Sequence, residues 1–68
     1  MTYKEMVDKI EKDLNIPHRR ARVYIEKVFS KRYKGHKEAI TKMEAKYSDA
    51  GDILLIYTIN NKQNTMVI

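Results

Sequence analysis

The residues of this chain best suited to chemistry are the arginines and lysines between positions 18 and 37. His18, Arg19, Arg20 and Arg22 cluster where a helical pattern begins, and Lys27, Lys31, Arg32, Lys34 and Lys37 follow. Across positions 17–37 eight Lys or Arg are set against the single acid Glu26, a net charge of +7 in a chain whose total is +5. A helix N-terminus carries partial positive charge, so acids are favoured there and an arginine costs a few tenths to about 1 kcal/mol. Arg19 and Arg20 go against that rule. An anion seated on the free N–H groups and the guanidinium forks together would relieve the cost, and phosphate has the matching charge and shape. Two other accounts of the same residues are a solvated basic face and pairing with Glu11 and Asp13 just upstream. At 1.5 Å rise per residue, Arg19, Arg20, Arg22, Lys27, Lys31 and Lys34 extend over roughly 22 Å, enough to follow several phosphates. Most such contacts position a protein and do not read bases. Tyr24 and Tyr33 lie among these charges, placed either to stack on unpaired bases or to sit in the core with the hydroxyl at its rim.

Other chemistries find little to work with. There is no Cys, which removes disulfides and thiolate metal sites together. The only histidines, His18 and His36, have no second ligand at metal-like spacing in the sequence. Asp49 and Asp52 flank Gly51 but are too few for a calcium loop, and read as turn and cap residues. Ser30, Thr41 and Ser48 lack a His–acid arrangement, and no Gly-rich phosphate loop is present. The expectation is therefore a protein that binds and does not catalyse, with no metal and no cofactor.

The elements that must position the basic strip are short. In residues 2–14, Tyr3, Met6, Val7, Ile10 and Leu14 recur at the i, i+3, i+4, i+7 spacing of one buried stripe. Thr2 and Glu5 have the spacing of a capping box, in which each side chain accepts from the other's backbone N–H. Asn15-Ile16-Pro17 breaks the pattern, with Asn tolerating a left-handed helix end and Pro accepted in a first turn. Residues 17–34 form the second helix, with Ala21, Tyr24, Ile25, Val28 and Phe29 on its apolar side and Gly35 as terminator; Arg32 falls within that apolar sector. Residues 36–47 give a third, shorter helix from the stripe Ala39, Ile40, Met43, Tyr47 and the pair Glu38/Lys42.

After the loop at 48–52, the run ILLIYTI at 53–59 and the arm at 64–68 make a β-hairpin around a polar turn. Ile53, Leu55, Tyr57 and Ile59 point to one face, and Leu54, Ile56 and Thr58 to the other. Three short helices cover one face of such a ribbon. The other face is covered either by a second copy, through Leu54, Ile56, Met66 and Ile68, or by the third helix folding back. The predicted architecture is a single small α+β domain, 1–68, of three helices and a C-terminal two-stranded antiparallel hairpin.

The opening MTYKEMVDKIEKDLNIP, followed by the stripe Ala21, Ile25, Val28 and Phe29, is similar to the N-terminal helix pair of the HU and IHF nucleoid proteins over less than half of the chain. The order helix, helix, helix, hairpin also resembles a winged helix-turn-helix, although Glu11 stands where such motifs usually keep a small residue. Both resemblances imply DNA binding.

Composition sets the remaining bounds. A 68-residue chain with 43% hydrophobic and 34% charged residues is globular in type, and a domain of this size buries only about 60% of its unfolded surface. No apolar run approaches the roughly 18 residues of a membrane span, and residues 1–13 do not have a signal-peptide core. The expectation is a cytoplasmic, basic, DNA-binding or RNA-binding regulator or architectural protein, with DNA favoured and a homodimer as a candidate state. Its alternative is an interaction module that docks the same helix on an acidic protein surface.

Overall fold

The computed structural model describes the backbone of residues 1–31 and 39–68 and the side chains of residues 1–28 and 39–68. The order is α1 (Tyr3–Leu14), α2 (His18–Lys31), β1 (Ile40–Tyr47), β2 (Ile53–Ile59) and β3 (Lys62–Val67), with the strands forming one antiparallel meander β1-β2-β3. The helices lie on one face of the sheet.

The first helix forms as its sequence dictates. Thr2 accepts from the Glu5 amide and Glu5 accepts from the Thr2 amide, closing the capping box at 3.1 and 2.8 Å. Asn15 ends the helix in the left-handed region at φ 54° and its amide returns to the Glu11 carbonyl. Met6, Val7, Ile10 and Leu14 are buried, as the stripe requires. Ala21, Tyr24, Ile25 and Val28 bury the facing stripe of α2. Its first turn is anchored on Pro17, whose carbonyl accepts from the Arg20 and Ala21 amides.

The third helix expected at 36–47 is not there: residues 36–38 lie outside the described residues, and Ile40–Tyr47 is a strand. The reason lies in the register. A bulge between Ile40 and Lys42 adds a residue against β2, so Ile40 and Met43 both turn inward three positions apart, which is the spacing of a helix. Beyond the bulge, Met43 and Ala45 are buried at the period of two that a strand demands. The sheet is accordingly three-stranded, and the expected three helices plus two-stranded hairpin give way to two helices and a meander. The predicted hairpin forms within it, its second arm starting at Lys62 and its turn confined to Asn60-Asn61. Both turn residues have positive φ, 52° and 62°, as a two-residue type I′ loop demands.

The core gathers Leu55, Tyr57 and Ile59 from β2, Ile40, Met43 and Ala45 from β1, and the buried stripes of both helices. Met66 and Ile68 pack against it from the same side. Leu54, Ile56 and Thr58 occupy the opposite face of β2, as alternation predicts, and remain half-buried there beside exposed Val67. Of the four residues expected to meet a second copy, Leu54 and Ile56 are therefore on the open face while Met66 and Ile68 are on the core side.

Candidate nucleic-acid interface

The exposed side of α2 follows from the burial of the other. With Ala21, Tyr24, Ile25 and Val28 held in the core, helical geometry turns Arg19, Arg20, Arg22, Val23, Glu26 and Lys27 outward, and all six are exposed. Val23 is 49% exposed and lies at the centre of this face. Arg19, Arg22, Glu26 and Lys27 border it in one shallow depression, and Pro17, Arg19 and Arg20 in a neighbouring one. The result is an apolar step bordered by three cations and one carboxylate. Arg19 to Lys27 spans about 12 Å along the helix axis at 1.5 Å per residue.

The acids of α1 that could have neutralised the arginines are engaged elsewhere. Asp13 holds the Lys9 ammonium through both carboxylate oxygens at 2.6 Å and accepts the Ala45 amide at 3.0 Å. Glu11 lies 3.0 Å from His18 Nδ1, and Asp8 pairs with Lys4 at 2.8 Å. Among the described residues no ion pair involves Arg19, Arg20 or Arg22. The first turn of α2 contains no acid. Pairing of these arginines with Glu11 and Asp13, one of the accounts offered by the sequence, does not occur.

Of the basic residues named from sequence, Arg19, Arg20, Arg22 and Lys27 share this surface. The Lys31 side chain, Arg32, Lys34 and Lys37 lie outside the described residues, as do Tyr33, Gly35 and His36. Tyr24 is only 8% exposed, which makes it a core residue and removes it as a stacking platform. Val23 went unnoticed in the sequence because a single valine on a polar arc carries no periodic signal; its place four residues from both Arg19 and Lys27 was the available cue.

The fold also brings together what linear spacing concealed. One ligand atom each from Asp8, Glu11 and His18 lie within 4.8 Å of one another across the α1–α2 turn. Asp8 is bound to Lys4 within α1, and the Glu11–His18 contact crosses from α1 to α2. Lys4 shows the effect of this neighbourhood: the hydrogen bond to Asp8, reinforced by its charge, raises the ammonium's pKa. No helix among the described residues is long and apolar enough to cross a membrane.

Comparison of the chain with protein-family models, with curated proteins and with solved structures finds no match in any of the three. The winged helix-turn-helix resemblance rested on a third helix that the structure replaces with a strand.

Proposed function

We propose that the chain binds nucleic acid, duplex DNA in preference to RNA, through the exposed face of α2. The observation that carries this reading is the set Arg19, Arg20 and Arg22, three guanidiniums gathered toward the positive end of a helix with no acid in its first turn, while the α1 acids Glu11 and Asp13 are committed to other partners. Placed this way, the cations repel one another and the helix dipole. A polyanion with regularly spaced phosphates removes that repulsion and accepts bidentate hydrogen bonds from each fork.

The preference for duplex DNA is supported by what the face contains. Among the described residues it carries no aromatic ring, since Tyr24 is in the core, and unpaired bases are recognised chiefly by aromatic stacking. A convex helix with an apolar step at Val23 matches a groove lined by phosphates and sugars. In this role α1 and the sheet serve as scaffold, holding α2 by its buried stripe.

A gel-shift panel of duplex DNA, single-stranded DNA and duplex RNA at physiological salt tests the proposal, using the wild type and the Arg19→Gln/Arg20→Gln/Arg22→Gln variant. The expected result is a duplex DNA shift in the wild type that the variant loses. Equal binding by both proteins would move the site elsewhere. Absence of binding to all three, together with nuclease-resistant retention of an acidic protein, would assign the same face to a protein partner.

A further inference from the structure

The two edges of the sheet are treated differently by the rest of the chain. Along β1, the Asp13 carboxylate accepts the outward amide of Ala45, the Met1 amine donates to the Ile40 carbonyl, and the Tyr47 hydroxyl reaches back to the Leu14 carbonyl. Lys42, Glu44 and Lys46 add charge to the same strand, a usual device for keeping an edge from pairing. This edge is capped at the Ala45 amide and the Ile40 carbonyl and carries charge along its length.

The other edge is β3. Ile68 donates to the Ile53 carbonyl at 2.8 Å, and in this register hydrogen-bonded pairs alternate with non-bonded ones. Ile53/Ile68, Leu55/Met66, Tyr57/Asn64 and Ile59/Lys62 are thereby the bonded pairs. The amides and carbonyls of Gln63, Thr65 and Val67 point away from β2. All three residues are exposed, and their side chains belong to the open face beside Leu54 and Ile56. Lys62, at the turn, is the only charged residue of the strand.

We infer that β3 pairs antiparallel with β3 of a second copy, about a two-fold axis at Thr65, to give a continuous six-stranded sheet. The edge is complementary to itself. With Thr65 opposite Thr65, Gln63 falls opposite Val67 and Val67 opposite Gln63, so every outward amide and carbonyl meets one from the partner. Cross-strand Thr–Thr pairs are favourable, and no like charges face each other across the axis. That neutrality matters in a chain of charge +5, whose copies repel wherever their basic surfaces approach. On the open face the pairing lines up Leu54 and Val67 with the partner's Gln63 and Thr58, and Ile56 with Thr65 and the partner's Thr65, widening a strip left incomplete at one edge of a single chain. This inference does not depend on the nucleic-acid reading.

Sedimentation of the wild type at high micromolar concentration, beside Thr65→Lys and Thr65→Pro, tests it. Proline at an edge position whose N–H faces outward preserves the ladder to β2, and unchanged far-UV circular dichroism establishes that each variant is folded. The expected result is a wild-type dimer that both variants lose. Amide exchange gives a readout without substitution: the Gln63, Thr65 and Val67 amides should be protected at high concentration and exchange freely on dilution. A monomeric wild type with those three amides unprotected would overturn the inference. A dimer that persists in both variants and comes apart in Leu54→Gln/Ile56→Gln would overturn it too, by placing the contact on the open face.

Discussion

Asp13 joins α1 to the sheet through a charged hydrogen bond to the Ala45 amide, and Asp13→Ala is an informative single stability test. Its side chain is only 17% exposed, it ion-pairs with a Lys9 that is 41% exposed, and it accepts the outward amide of Ala45 at 3.0 Å. A hydrogen bond to a charged acceptor contributes about 1.5–3 kcal/mol, whereas a half-exposed i, i+4 ion pair contributes about 0.5 kcal/mol. Asp13→Ala should therefore cost about 2 kcal/mol, most of it from the amide left without its acceptor. For a domain of 60–100 residues that corresponds to a fall in Tm of about 8–16 °C. Lys9→Met removes the ion pair alone and should cost about 0.5 kcal/mol. Asp13→Asn keeps an acceptor and should fall between the two. Urea unfolding of the three variants at neutral pH gives the ranking, with an unchanged m-value showing that the unfolded state is not the source. If Asp13→Ala costs no more than Lys9→Met, the contact with Ala45 contributes nothing and the view of Asp13 as a cap on the β1 edge is refuted.

Two further outcomes test the local reasoning. The Glu5 carboxyl is held below its ordinary pKa first by the hydrogen bond from the Thr2 amide and then by the Thr2 side chain. With the folded value depressed, the stabilisation it brings is present above the unfolded pKa and is lost as pH falls through the lowered folded value. An NMR titration should place the Glu5 midpoint below that of an ordinary glutamate. It should move back upward in Thr2→Ala, and further in Thr2→Pro, which also removes the amide. At the β2–β3 turn, Asn61 sits at φ 62°, and Asn61→Ala should cost about 1 kcal/mol from left-handed strain. Asn61→Gly should not; equal losses in both variants, read by urea unfolding, would remove backbone strain as the cause.

Both the capping box and the left-handed Asn15 stop of α1 could be read directly from the chain, because each is a local device written in neighbouring residues. The buried stripe of α2 was legible for the same reason. The strand β1 was not. Its bulge places Ile40 and Met43 on one face at helical spacing, and only the pairing partner Ile59, far along the chain, reveals the extra residue. The paired state of the acids was equally out of reach, since Asp13 is drawn to Ala45 across 32 positions. That contact, with His18 beside Glu11, is what keeps the acids of α1 from the arginines of α2. The asymmetry between the two sheet edges, invisible in a hairpin of two strands, appeared only with the third strand.

The measurement that bears most directly on the role of α2 is the salt dependence of duplex DNA binding, wild type against Arg19→Gln/Arg20→Gln/Arg22→Gln, as the slope of log K against log salt. Three lost phosphate contacts should flatten that slope by about 2.7, at about 0.9 per contact. Weaker binding with this flattening is the result the account predicts, at a Tm no lower than that of the wild type because the variant also loses the repulsion at the helix start. Identical slopes for the two proteins would contradict it and remove the exposed face of α2 as the interface.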